Sequence, residues 1–279
     1  MRARYPYLVA RRLAQASVIA VLWGGAHLGW SLARGDLSST LLLGTVPLSD
    51  PFALLQVLAT GHLPATTALL GGALTLGAYW LLGGRAWCAW VCPVNPVADM
   101  AGWLRRRLSP RGLLEIDGEA RLWVAAGLLA LSAIVGTPAF EAVSPIGALQ
   151  RDLVYGLGAG LLVVPLLLLL DTLVLRHGWC GSLCPLGGFW SVVGAASVVR
   201  VRFDVARCDR CGDCAIVCPE SQVLRFGDME RTGLVRSGDC SNCMRCVEVC
   251  PRDALHLGTR FHSNSHSPEG SENATRQSA

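Results

Sequence analysis

Four apolar stretches dominate the N-terminal part of the chain: Ala14–Ala33, Leu63–Leu82, Leu122–Phe140 and Leu153–Leu175. The first three contain no Asp, Glu, Lys or Arg, and the fourth contains only Asp171, near its end. A helix half-sunk in a protein core would carry a polar stripe at helical spacing, and these carry none. Each approaches or reaches the ~20 residues that cross a ~30 Å hydrocarbon layer, so the pattern predicts four transmembrane helices.

The polar positions between them add orientation. Arg2, Arg4, Arg11 and Arg12 precede the first stretch. Arg85, Arg105, Arg106, Arg107, Arg111 and Arg121 lie between the second and third, and Arg176, Arg200 and Arg202 follow the fourth. The two remaining connections hold only Arg34 and Arg151, which predicts a multi-pass inner-membrane protein with both termini in the cytoplasm. The Arg11-Arg12 pair runs into a full-length apolar stretch without a cleavage site, so it reads as an uncleaved anchor rather than an export signal. Asp50-Pro51, Asn95-Pro96 and Ser144-Pro145 read as capped helix starts. After Asn95, Met100, Trp103 and Leu104 oppose Arg105–Arg107, as in a helix lying at an interface. The apolar run Leu186–Val199 is too short to span.

This half of the chain is duplicated. Arg85-Ala-Trp-Cys88-Ala-Trp-Val-Cys92-Pro recurs 92 residues later as His177-Gly-Trp-Cys180-Gly-Ser-Leu-Cys184-Pro. Upstream, Asp50-Pro51 through Gln56 is echoed by Ser144-Pro145 through Gln150. Two repeats of like orientation are related by an axis along the membrane normal, which brings Cys88, Cys92, Cys180 and Cys184 to one face.

Composition then sharpens the chemistry. Of 279 residues 52% are hydrophobic and 16% charged, too apolar for a disordered chain. The 24 basic residues are all Arg, and no basic run is interleaved with stacking aromatics, which excludes a nucleic-acid binder. The 12 cysteines fall in four clusters, each closing on Cys-Pro, a distribution of metal or redox sites rather than a disulfide framework. Two clusters follow residue 201, where charges become frequent: Cys208-x2-Cys211-x2-Cys214-x3-Cys218-Pro219 and Cys240-x2-Cys243-x2-Cys246-x3-Cys250-Pro251. This is the bacterial-ferredoxin ligand run, in which the fourth cysteine serves the other cluster. It assigns Cys208, Cys211, Cys214 and Cys250 to one 4Fe–4S cluster, and Cys240, Cys243, Cys246 and Cys218 to a second. Structural zinc is disfavoured, because zinc cysteines come as separated pairs rather than four ligands in eleven residues, repeated.

Cys88/Cys92 and Cys180/Cys184 are less specific. Spacing i, i+4 puts each pair on one helix face, which suits a dithiol, a disulfide, two metal ligands of a third redox or metal site, or inert packing at helix ends. His27 and His62 lack the paired spacing of a bis-histidine haem site. Asp171 is an ionisable group inside an apolar stretch, either functional or paired with Arg176. Asp50, Gln56, His62, Glu141 and Gln150 gather toward the opposite face, where each fits a quinone pocket or plain capping equally well. Residues 1–200 thus form a predicted helical membrane domain and 201–261 an α+β two-cluster ferredoxin-like domain. Residues 262–279 form a polar, disordered tail.

These features resemble the NapH family, the membrane-bound ferredoxin-type subunits of periplasmic nitrate reductase systems. The likeness is carried by both Cys-x3-Cys-Pro motifs, the two ferredoxin runs, Thr45 through Pro51, Gly61 through Ala65, Trp90-Val-Cys-Pro-Val-Asn-Pro96 and His177-Gly-Trp-Cys180. The resemblance implies a quinol dehydrogenase subunit that takes electrons from the quinone pool. With a NapG-type ferredoxin partner it would pass them toward a periplasmic nitrate reductase. The same architecture occurs in oxidase-maturation and methylamine-utilisation proteins, so a reductase that repairs a metal or thiol on a partner is the alternative. A redox sensor is a third reading, for which no output domain is visible.

Overall fold

A computed structural model describes residues 5–108, 116–156, 158, 160–175 and 178–261. Helix α1 (Pro6–His27) starts at a proline, whose missing N–H is no loss in a first turn. It leads into an antiparallel sheet of β1 (Ala33–Gly35), β2 (Ser39–Leu42) and β3 (Val46–Ser49), with Ala33 opposite Leu42 and Ser39 opposite Ser49. The Asp50 carboxylate accepts from Phe52 N at 2.9 Å and so caps α2 (Pro51–Ala59). Helix α3 (Thr66–Leu82) packs on β3 and stops at Gly83, whose φ of +114° a side chain would resist. Short α4 (Ala86–Trp90) precedes α5 (Asn95–Leu108), whose last turn carries Arg105, Arg106 and Arg107 where helix carbonyls favour cations.

The second repeat follows as α6 (Ala120–Val135), α7 (Ala139–Val143), α8 (Pro145–Tyr155) and α9 (Gly160–Leu169). Ser144 Oγ caps α8 by accepting from Gly147 N at 3.3 Å. Helix α9 runs on into a π-helical turn, Leu170–Val174; a second such turn, Trp179–Leu183, leads to α10 (Pro185–Ala195). The C-terminal unit opens and closes with β4 (Val199–Phe203) and β5 (Leu255–Thr259), paired antiparallel. Between them lie α11 (Asp213–Val217), α12 (Phe226–Thr232) and α13 (Arg245–Val249). One apolar core centres on Phe52, Trp87, Phe140, Leu149 and Trp190; another, on Val201, Phe203, Met229, Val235 and Leu255.

The four expected transmembrane helices are not what forms: among the described residues no helix is long and apolar enough to cross a membrane. At 1.5 Å per residue, the 17 residues of α3 and the 16 of α6 fall short of a ~30 Å layer. Helix α1 has 22 residues, but they include Arg11 and Arg12. The apolar stretches were longer than the helices because their ends do other work. Trp30–Ala33 turns into the sheet, Gly136 ends α6 with φ +76°, and Gly156 ends α8 ahead of the ten-residue α9, which carries Pro165 inside it. Without a crossing helix, the arginine asymmetry has no spans to orient. Large apolar side chains remain on the outside all the same, including Trp123 at 78% and Ile134 at 82% exposure on α6. The polar tail, Arg111, Arg176 and His177 lie outside the described residues.

Some of the arginines instead join the two units. Arg85 and Arg121, 3% and 1% exposed, both bind Glu220 of the C-terminal unit, Arg121 at 3.0 Å. Arg121 also pairs with Asp239, and Arg85 donates to the Asp239 carbonyl at 2.9 Å. A second network gathers Arg12 and Arg245 on Asp99, with Arg11 at 3.8 Å. Glu248, on α13, accepts from the backbone N–H groups of Tyr7 and Leu8 at 2.6 and 3.0 Å, satisfying the start of α1. Backbones also meet closely here. A Cβ on Gly194 would lie 2.5 Å from the Gly238 carbonyl oxygen, and one on Gly84 2.3 Å from Gly194 Cα.

Two substitutions test this junction by thermal unfolding of the full chain. Gly194→Ala forces α10 away from the 238 loop and lowers stability by about 1–3 kcal/mol. Glu220→Gln strips the charge that two buried guanidinium groups share, and lowers stability by about 3–5 kcal/mol. A melting temperature unchanged by either would refute the close junction.

Candidate metal centres

Each C-terminal cysteine run is a loop that curls and then closes with a short helix. Arg210 and Asn242 hold φ of +58° and +46°, and Gly212 and Met244 hold +84° and +61°, at matching places in the two runs. Left-handed residues there turn the backbone around its own cysteines. Helices α11 and α13 follow and pack against each other. Backbone N–H groups aim at sulfur: Arg210 N donates to Cys208 Sγ at 3.4 Å, and Ala254 N to Cys250 Sγ at 3.3 Å.

Mutual electrostatics show which thiols are neighbours, since charge effects fade with distance. Burial pushes the Cys214 thiol up, and Cys211, Cys208 and Cys250 push it the same way. Cys218, raised to about 12 by burial, feels Cys243 and Cys240 instead. Cys246, raised by burial, feels Cys243, Cys240 and Cys218, with Cys214 last. Cys218 lines one cavity with Cys240, Cys243 and Cys246, and Cys250 stands near Cys214.

The four cysteines of the helical unit also converge. Cys88 lies on α4 and Cys92 just beyond it; Cys180 lies in the second π-helical turn and Cys184 caps α10, its Sγ accepting from Gly187 N at 3.4 Å. All four line one small cavity of about 50 Å³. Burial pushes Cys180 up, as do Cys92, Cys184 and Cys88 in that order, and Cys184 reaches about 12. The Arg85 charge pulls Cys88 back down. Arg85 also donates to the Cys180 carbonyl at 3.0 Å, and Arg121 to that of Gly181 at 3.0 Å, so both repeats are tied to the Glu220 network. Pro219, Glu220 and Ser241 line this cavity and also the one holding Cys218, Cys240, Cys243 and Cys246. Among the described residues, no group of three or more His, Cys, Asp or Glu side chains is placed to hold a single metal ion. The donors at these places are thiols, the donor type of a 4Fe–4S cube.

Of the other residues singled out from the sequence, Asp50, Gln56 and Glu141 come together. His27 Nε2 lies 2.6 Å from the Val154 carbonyl, and exposed His62 meets Thr60 Oγ1 at 3.1 Å. Buried Gln56 accepts from Phe140 N at 2.8 Å, buried Gln150 packs inside α8, and Glu141 accepts from Ser38 Oγ at 2.8 Å. Asp171, raised to about 6 by burial, accepts from Trp179 N at 2.9 Å and so fixes the turn carrying Cys180. Arg85, Arg121 and Glu220 escaped notice as site residues. Their signal was position: Arg85 precedes Cys88 by three residues, and Glu220 follows Cys218-Pro219 directly.

Residues 64–111 and 157–203 match the family described as "4Fe-4S binding domain", and residues 200–251 match "4Fe-4S dicluster domain". The chain is 42% identical to the ferredoxin-type protein NapH of Escherichia coli over 94% of its length and 92% of the relative's. It is 41% identical to NapH of Haemophilus influenzae, over 91% and 90%. It is 45% identical to the methylamine utilization ferredoxin-type protein MauN of Methylorubrum extorquens, over 91% and 89%. No solved structure matches the chain. With cysteine sets that suit iron–sulfur clusters and near full-length identity to both, the chain belongs to the family of ferredoxin-type iron–sulfur electron-transfer proteins that includes NapH and MauN.

Proposed function

We propose that this protein takes electrons from quinol at a membrane and, with a NapG-type ferredoxin partner, passes them toward a periplasmic nitrate reductase. The observation that carries this reading is the continuity of the thiol sets. The cavity of Cys88, Cys92, Cys180 and Cys184 shares Pro219, Glu220 and Ser241 with that of Cys218, Cys240, Cys243 and Cys246, and α11 on α13 joins that set to the next. In this reading Cys208, Cys211, Cys214 and Cys250 hold one 4Fe–4S cluster, and Cys218, Cys240, Cys243 and Cys246 a second. Cys88, Cys92, Cys180 and Cys184 hold a third, which the match of both their segments to a 4Fe–4S binding family supports. Each cluster when bound exchanges one electron, at a potential set by charge, hydrogen bonds and burial. The chain supplies those settings: Arg85 beside Cys88, N–H donors at Cys184, Cys208 and Cys250, and Asp171 holding the Cys180 turn. The exposed apolar faces of α6 and α9, with Trp123, Ile134, Leu162 and Leu166, support association with lipid, since patches of that kind mark membrane or partner contact. Nitrate respiration is supported by the NapH relatives. The MauN relatives leave methylamine utilisation as the second reading, in which the same line serves another acceptor.

Excess quinol added to the reconstituted full chain should produce the electron paramagnetic resonance signal of reduced 4Fe–4S clusters. Reduction by dithionite but never by quinol would sink the quinol assignment. Iron content should be about 12 atoms per chain and fall to about 8 in a Cys88→Ser, Cys184→Ser double variant; unchanged iron would remove the third cluster. A deletion strain should keep an intact but electron-starved nitrate reductase, whereas a cofactor-deficient reductase would favour a maturation role.

A further inference from the structure

One cavity lies outside all three thiol sets. It holds about 380 Å³ between α1, the three-stranded sheet, α3 and α10, within the ~300–1,000 Å³ range of small-molecule sites. Its walls are mostly apolar, among them Val18, Val21, Leu22, Leu42, Leu48 and Val91. No Arg, Lys or His lines it, which disfavours ligands bearing phosphate or carboxylate. Two polar groups of opposite kind stand in this lining. Asp50 presents a carboxyl at the start of α2. Trp190, 1% exposed, has a buried indole N–H without a hydrogen-bond partner. A buried donor left unpaired costs about 1–3 kcal/mol, so a ligand acceptor placed there recovers it.

The cavity also adjoins the electron line. Trp87 lines it on one side and the cavity of Cys88, Cys92, Cys180 and Cys184 on the other. Tyr79, a third aromatic wall, packs on Trp190 with ring centroids 5.1 Å apart. A flat apolar ring with a hydroxyl for the carboxylate and an oxygen acceptor for the indole N–H suits these walls, and the hydroxyls of Ser17, Thr40, Ser49, Thr75 and Tyr79 add further polar groups to the lining.

We propose that this cavity is the binding site for the quinone ring, with Asp50 and the Trp190 N–H as its two polar partners and Trp87 as the contact toward Cys88. The proposal rests on the reading of the chain as a quinol-side carrier and gives that reading a place. Burial, with Glu141 acting in the same sense, raises the Asp50 carboxyl to about 7, which suits a group that exchanges a hydrogen bond with both quinone and quinol.

The test uses the full cluster-loaded chain and an azido-ubiquinone photoprobe, with the labelled peptides mapped by mass spectrometry. Label is expected within residues 17–22, 40–50 and 75–91. Val18→Trp fills the cavity and should abolish that label. Asp50→Asn keeps a good helix cap and should weaken protection by ubiquinol about tenfold. Iron content, equal in all three proteins, shows that the variants fold. Label elsewhere, with quinol still reducing the clusters of the Val18→Trp protein, would overturn this site while leaving the quinol reading intact. Absence of both label and quinol reduction in the unaltered chain would overturn the reading and the site together.

Discussion

Glu220 is the side chain on which the arrangement turns. It sits two residues after Cys218, and both Arg85 and Arg121 spend their charge on it inside the protein. Burying ions is costly unless each is paired and hydrogen-bonded, and here the partners are distributed over both repeats and the C-terminal unit. None of these groups is satisfied unless the helical unit, the 180 turn and the ferredoxin-type loops are docked together. Specific docking, rather than net stability, is what such a network supplies. The spacing of the thiol sets follows from it, because Arg85 and Arg121 also hold the carbonyls of Cys180 and Gly181.

The two repeats contribute equivalent cysteines on like turns: Cys92 N donates to the Trp87 carbonyl at 3.1 Å, as Cys184 N does to that of Trp179 at 2.7 Å, five residues back in each case. In the second repeat the whole turn is π-helical and ends in a helix cap. A π turn is wider than an α turn, and such turns gather at functional sites. Asp171 and Arg105 hold the approach to it, through Trp179 N and through the carbonyls of Asp171 and Thr172. Asp171 is thus a structural group that places a thiol, while Arg176, its other expected partner, lies outside the described residues.

Cysteine spacing was the most legible part of the sequence. Spacing of two, two and three residues encodes a loop and a helical turn locally, and both runs form them, with α11 and α13 as the helical turns. The convergence of Cys88 with Cys184 was legible only through the repeat, since nothing local joins them. Helix lengths were misjudged, because apolar composition reports the solvent a segment avoids and not the conformation it adopts. Leu28 to Ala33 is apolar enough to extend a helix, yet Gly29 turns the chain and Ala33 pairs with Leu42 in a sheet. The arginines were read as a charge count when their geometry decided the matter: Arg85, Arg121 and Arg200 are buried donors rather than surface charge. The cavity between α1 and α10 was invisible in sequence, being bounded by residues as distant as Ser17 and Trp190.

Glu248 holds the first turn of α1 from a position two residues before the last cysteine of the chain. Synthesis makes these partners in the opposite order, with almost the entire polypeptide between them. The opening helix therefore leaves the ribosome with its end unsatisfied and stays so until the final loop has closed. Pairings of such sequence separation are slow to form, because the intervening chain must be confined before the contact repays it. A chain cut before Glu248 would lack not just Cys250 but the clasp on its own beginning.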